Sequence, residues 1–388
     1  MENILTPDQQ EIRDAALRIA SKFGPDYWLE RDREGGFPEA FYRACADDGW
    51  LGIAMPEAYG GAGLGITEAA IFLQAMAESG GAVQAASAIH LNIFGLQPIV
   101  LFGTEEQRQR MLPPMIQGKV KACFGITEPD AGLNTTKLKT RAVRQGDKYV
   151  VNGKKVFIST AQVADYIMLL ARTTPIEECK RPTDGLSIFY TKLDRSRIEV
   201  REIDKMGRKG IDTNELFIEN LEIPAEDLIG EEGQGFRYIL HGMNAERIFV
   251  AAECIGIGRA ANERAVQYAK ERVVFDRPIG QNQGIQHPLA QNWANLEAAN
   301  LMMLHAARLW DEGKPCGSEA NAAKLLASQA AVETCKNAML THGGYGYAKE
   351  YHVERFMREV MILYIAPITP QLILSNIAEK KLGLPKSY

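Results

Sequence analysis

Apolar positions along the chain follow two periods, and the period switches twice. Through about the first 120 residues they recur three and four apart, the spacing of one helix face. Thr6-Pro7-Asp8-Gln9 reads as a helix start, with a hydroxyl N-cap, proline in the first turn and glutamine at the third position. A second helix follows Pro38 and stops at Gly49, and a long helical pattern runs from Thr67 to Phe102. Thr104-Glu105-Glu106-Gln107 opens another helix that ends near Gly118. The glycine-rich run from Met55 to Gly65 lacks the G-x-G-x-x-G order and follows no clear strand, so it reads as a turn between helices.

Short alternating runs come next. Tyr149-Val150-Val151, Asn152-Gly153 and Lys154 to Ile158 read as a hairpin, because Asn-Gly tolerates positive φ at both turn positions. Tyr166–Ala171, Leu186–Thr191, Ile198–Glu202 and Glu215–Ile223 continue as strands, and Pro224 closes the series. The helical period returns in a long helix from Gly235 to about Phe275. Helices at about Gln286–Glu312 and Ser318–Leu340 follow, and a last one begins near Thr369–Gln371. The fold class expected is α+β: an N-terminal helical domain (1–120), a middle antiparallel β-barrel (121–230) and a C-terminal four-helix bundle (231–388).

A net charge of −5 and scattered Lys and Arg argue against nucleic acid or an anionic membrane as partner. The apolar stretch 82–103 is interrupted by Gln84, His90, Asn92, Gln97 and Pro98, and reads as a buried helix and its turn. None of the six cysteines pairs as C-x-x-C or sits with histidine at metal-ligand spacing, so no metal site is expected and the thiols read as reduced and cytosolic. The Met1-Glu2-Asn3 start is unlike a targeting peptide, which also suits a cytoplasmic protein. The six histidines are dispersed and read as structural.

One acid changes the picture. Glu246-Arg247 lies on the long helix between Ala245 and Ile248-Phe249-Val250, where Phe236, Leu240, Met243, Ile248, Phe249, Ala252 and Ile255 mark the apolar face. Helical acids are mostly solvated, but a carboxylate among residues that bury is costly unless paired or working.

Five segments, in order, resemble the acyl-CoA dehydrogenase family over nearly the whole chain. They are Phe124-Gly125-Ile126-Thr127-Glu128-Pro129-Asp130-Ala131-Gly132; Asn152-Gly153-Lys154-Lys155-Val156-Phe157-Ile158-Ser159; Ile223-Pro224-Ala225 with Gly230-Glu231-Glu232-Gly233; Glu271-Arg272 with Phe275; and His342-Gly343-Gly344-Tyr345-Gly346-Tyr347. The resemblance implies FAD as cofactor. Phe124, Ile126, Thr127 and Gly132 would serve the pyrimidine side of the flavin, and Phe157 and Ser159 its ring, where the family usually has Trp-Ile-Thr. Arg272 and Phe275 would reach the FAD of a neighbouring subunit, Gln283 would also bind the cofactor, Gly343 and Gly344 would let backbone approach a phosphate, and Thr369 and Gln371 resemble the adenine contacts. Leu340 departs from a glutamine common in the family.

Much of that family carries its catalytic glutamate just before the T-x-Q pair, where this chain has Pro367. A second family pattern, in isovaleryl-type and long-chain-type members, puts the base on the long helix, as Asn244-Ala245-Glu246-Arg247 does here. The resemblance therefore implies Glu246 as the base, with Asn244 and Arg247 beside the substrate. It further implies α,β-dehydrogenation of an acyl-CoA to a trans-2-enoyl-CoA, a homotetramer, and electron-transfer flavoprotein as acceptor. Proline lacks the N–H that elsewhere helps hold the enolate, so that donor is missing or comes from another group, such as Ile368. Two alternatives stay open: an enoyl-thioester reductase or a dehydrogenase of non-CoA carriers, and a non-catalytic binding or assembly subunit.

Overall fold

The capping signals form as expected in the computed structural model, which describes residues 4–387 and leaves Met1-Glu2-Asn3 outside. The Thr6 hydroxyl accepts the Gln9 N–H at 3.2 Å and the Gln9 amide oxygen accepts the Thr6 N–H at 3.1 Å, opening α1 (Pro7–Ala20). An unanticipated helix, α2 (Pro25–Glu34), precedes α3 (Glu39–Asp47). The stretch expected as one helix from Thr67 to Phe102 is instead α4 (Ile66–Met76), α5 (Ala82–Phe94) and α6 (Gln97–Phe102). The break has a local cause: Gly80 takes φ 90°, and a Cβ on Gly81 would lie 2.7 Å from the Trp28 ring. α7 (Glu105–Ile116) begins at the second capping box. Residues 66–102 and 353–380 are long and apolar enough to cross a membrane, but each is split into separate helices, and 67% of the first's apolar window is buried in the fold.

The middle of the chain forms one sheet. Its strands are β1 (Ala122–Gly125), β2 (Arg141–Gln145), β3 (Lys148–Ser159), β4 (Tyr166–Arg172), β5 (Leu186–Lys192), β6 (Ile198–Glu202), β7 (Thr213–Pro224) and β8 (Leu228–Ile229). Their order is β6-β7-β3-β2-β4-β5-β8, with β1 parallel on β4. The hairpin expected at Asn152-Gly153 is not there. β3 runs straight through it, paired with β7 from Lys148↔Pro224 to Ser159↔Thr213, with a bulge at Asn152. Gly153 serves a close approach instead, since a Cβ there would fall 2.4 Å from the Thr140 hydroxyl. The actual turn joins β2 to β3 at Gly146, φ 66°.

The C-terminal helices are α8 (Gly235–Glu271), α9 (Gln283–Asp311), α10 (Gly317–His342), α11 (Val353–Ile365) and α12 (Pro370–Lys380). α11, which the sequence pattern did not separate from its surroundings, is the fourth helix of the bundle, and α12 follows it. Between α8 and α9 a ribbon of β9 (Val273–Val274) and β10 (Arg277–Pro278) turns on Phe275 and Asp276, both at positive φ.

α8 ties these parts together. Its stretch from Ala245 to Ala269 lies in the apolar core shared by the N-terminal helices and the bundle, while Tyr238 and Ile239 enter a second core against β4, β5, α6 and α7. A third core fills the folded sheet. Phe124 and Met243 pack against both of the first two cores, so Glu246 lies close to their junction. Small residues set the depth at which α8 sits: a Cβ on Gly256 would meet the Gln74 carbonyl oxygen at 2.4 Å and the Glu78 nitrogen at 3.0 Å. Backbone cannot swing aside as a side chain can. Gly256→Ala is therefore expected to cost about 1–3 kcal/mol in urea unfolding; an unchanged midpoint would mean the α4–α8 crossing is slack.

Candidate active site

Glu246 is not in open solvent. Its side chain keeps 16% of its exposure and its Oε2 lies 2.5 Å from His90 Nε2 on α5. The other ring nitrogen, Nδ1, lies 2.6 Å from Oε1 of Glu253, whose side chain is 2% exposed. The dispersed histidine expected to be structural therefore bridges two carboxylates of α8. Burial alone would push the His90 imidazolium down, but Coulombic attraction to Glu246 and Glu253, with hydrogen bonds to both, holds it well above the ordinary histidine range. Phe94 and Phe249 stand edge-on to the ring at 5.9 and 5.8 Å.

The row continues toward the sheet. Arg208, in the β6–β7 connection at φ 60°, donates to the hydroxyls of Ser87 and Ser159, each at 3.1 Å. Burial lowers its guanidinium from the ordinary value, partly offset by Glu253, Glu359 and Asp212. Ser87 stands one helical turn before His90, so the base candidate and the flavin-ring candidate Ser159 share one polar wall. Phe124 joins the apolar side of that wall, its ring 5.7 Å from Phe94. The signals for these missed residues were the seven-residue spacing of Glu246 and Glu253, two helical turns, and the three-residue spacing of Ser87 and His90.

The residues expected around the flavin fall into three groups. Phe124, Ile126, Thr127, Gly132, Phe157 and Ser159 lie on β1, β3 and the connection between β1 and β2. Phe157 takes φ 60° in a β3 bulge and is 66% exposed, an aromatic face turned out of the sheet beside a hydroxyl. Gly132 stands in open space, where a Cβ would meet nothing within 4 Å. An exposed aromatic face, the hydroxyls of Thr127 and Ser159 and open glycine backbone fit a large planar ring with a polar edge. Beneath them Lys155, fully buried, donates to the Ile126 and Leu170 carbonyls at 3.0 and 2.7 Å and to Glu128 at 2.9 Å. Burial lowers the Lys155 amine to about 8.

The second group is remote. Arg272, the residue that ends α8, lies 26 residues beyond Glu246, or about 39 Å of helix. Its guanidinium sits 5.7 Å over the Tyr345 ring beside Gly343 and Gly344, and Phe275, 93% exposed, and Gln283 stand at the same end. Within one chain these do not meet Glu246. The third group lies at the foot of the bundle: Thr369 caps α12, accepting the Leu372 N–H at 3.4 Å, and Gln371 is exposed on its first turn. Arg247 points into this region, donating to Asn321, which in turn donates to Asn376 of α12. Buried Lys324 donates to the Tyr364 and Ile368 carbonyls on either side of Pro367.

A cavity of about 620 Å³ opens beside the first turns of α8, reaching Asn244 and lined further by Arg181, Arg237, His241 and Trp310. Leu240, expected on the buried face, is half exposed on its wall.

Three family models cover most of the chain: the acyl-CoA dehydrogenase N-terminal domain (residues 6–119), middle domain (123–221) and C-terminal domain (233–382). The chain is 34% identical to acyl-CoA dehydrogenase FadE12 of Mycobacterium tuberculosis, over 99% of this chain and 98% of the relative. It is also 34% identical to the CarC subunit of the caffeyl-CoA reductase–Etf complex of Acetobacterium woodii, over 95% and 98%. The solved butyryl-CoA dehydrogenase of Megasphaera elsdenii superimposes with a TM-score of 0.92 at 31% identity, covering 98% of this chain and 100% of that one.

Lys155→Met should leave Glu128 buried without its counter-ion. The expected cost is about 3–5 kcal/mol in denaturant unfolding. A loss under about 1 kcal/mol would show that the Lys139 and Thr140 N–H groups, which also bond Glu128, suffice alone.

Proposed function

The chain belongs to the acyl-CoA dehydrogenase family, and from that premise we propose that it is an FAD-dependent enzyme converting an acyl-CoA to a trans-2-enoyl-CoA with Glu246 as base. The observation that carries this reading is Glu246 itself, shielded from solvent and held through Oε2 by His90, at the junction of the helical cores and the sheet. Oε1 is left to take the α proton. Phe124, Ile126, Thr127, Gly132, Phe157 and Ser159 would hold the ring end of FAD, which would supply the hydride acceptor for the β carbon.

The remaining residues supply binding. The cavity that reaches Asn244 would take the CoA portion, with Arg181 and Arg237 as donors to phosphate and Trp310 as an apolar wall. Its proximity to Glu246, two residues along α8, would bring the thioester to the base. The exposed Phe275 at the tip of the β9–β10 ribbon, with Arg272 and Gln283, supports a homotetramer in which these residues meet a neighbour's FAD and the Gly343, Gly344, Thr369 and Gln371 contacts are completed. A cytoplasmic location and electron-transfer flavoprotein as electron acceptor complete the reading.

A second direction has its own support. CarC is named as a reductase subunit, and the geometry around Glu246 serves proton delivery to the α carbon as well as its removal. An anaerobic screen separates the two: acyl-CoA bleaching the oxidised flavin favours dehydrogenation, whereas enoyl-CoA reoxidising the reduced flavin favours reduction. Glu246→Gln should keep the flavin bound and slow bleaching by about 10²–10⁴-fold, the worth of a positioned base. Bleaching at the wild-type rate would remove Glu246 from the chemistry.

A further inference from the structure

An imidazole has two ring nitrogens, and when neutral one of them can only accept. Both nitrogens of His90 face carboxylate oxygens, at 2.5 and 2.6 Å. A neutral ring would set a lone pair against one of those oxygens. The arrangement is satisfied when the ring carries both protons and donates twice. Glu253 does not line the cavity; its Oε1 meets His90, two turns from the carboxylate proposed as the base.

We infer that His90 and Glu253 position the base: the imidazolium holds Glu246 in one orientation through Oε2, and Glu253 keeps the ring doubly protonated. The inference rests on Glu246 being the base. His90 moves no proton in the reaction; it restrains a flexible side chain that must meet the α carbon at close range. Charge is balanced along the row. Glu246 and Glu253 on α8 are offset by His90 on α5 and by Arg208 of the β6–β7 connection, which faces Ser87 and Ser159 and feels Glu253 at longer range. Other charges packed on α5 are already engaged. Arg355 of α11 pairs with Glu359, and Glu359 accepts from the backbone and side-chain N–H groups of Gln84, about 9 Å along the helix from His90. Glu78, in the turn before α5, pairs with Arg13 and Arg259.

The test uses the holoenzyme labelled with ¹⁵N-histidine. Comparison with His90→Gln identifies the resonance of His90. Both ring nitrogens should remain protonated at pH 8, where an ordinary histidine of pKa about 6.5 is neutral. In Glu253→Gln the ring should titrate at lower pH, and bleaching by butyryl-CoA or isovaleryl-CoA should gain a new decline on the alkaline side of its pH profile. His90→Gln should slow bleaching about 10–100-fold while the concentration of thioester giving half-maximal rate changes less than about threefold. If His90→Gln fails to fold, Glu253→Gln carries both readouts and the His90 signal is found by its response to that change. A wild-type ring that titrates near 6.5, or a Glu253→Gln protein with unaltered titration and pH profile, overturns the inference. With Glu246→Gln inactive, that result leaves the base reading standing. A ring protonated at pH 8 together with undiminished bleaching by Glu246→Gln takes down the base reading itself.

Discussion

A 37-residue helix that passes through two apolar cores can carry acids inward only where opposite charge meets them, and that constraint shapes this protein. Glu246 and Glu253 leave α8 on the face that meets α5, and His90 is the counter-ion for both. Because buried charge is expensive when unpaired, α5 must lie close to α8 along this line. The close approach is provided by small residues. Gly242 lies against Phe94, with a Cβ there 3.0 Å from its ring, and Gly256 lies against the backbone of α4 and the turn after it. The break at Gly80-Gly81 then sets the direction in which α5 leaves α4, and so decides that His90 faces α8 at all.

The sheet meets this helical frame through a second buried pair. Lys155 ties β3 to the end of β1 and to β4, and its charge is answered by Glu128 just beyond β1. The outward residues of that region, Phe157 and Ser159, are thereby set on a rigid support. Arg208 bridges from the sheet to α5 with two hydroxyl contacts. Chemistry assigned to the flavin side and chemistry assigned to the base are held by different domains of the chain, joined by the Arg208 hydrogen bonds and by Phe124 against Phe94.

A third cluster, around Arg272, Tyr345, Gly343 and Gly344, lies at the opposite end of α8. Phe275 beside it is 93% exposed, which is why the reading of an oligomer depends on this end of the molecule and the reading of the base on the other. One long helix spans both ends. About 39 Å of it lies between Glu246 and Arg272.

Much of this was legible from sequence because it is local. Caps at Thr6 and Thr104, the periods of α1, α7 and α8, and the strands from Tyr166 to Pro224 depend on neighbours a few residues away. Glu246 was legible too, as an acid set among apolar neighbours. What the sequence could not determine was whatever depended on distant partners. Asn152-Gly153 has the chemistry of a turn, yet two flanking strands hold it extended, and the crowding by Thr140 explains the glycine. His90 carries no mark of function in its own segment. Its partners come from 156 and 163 residues away, where two carboxylates on one helix face close on its ring, and only the packing of α5 on α8 brings them there.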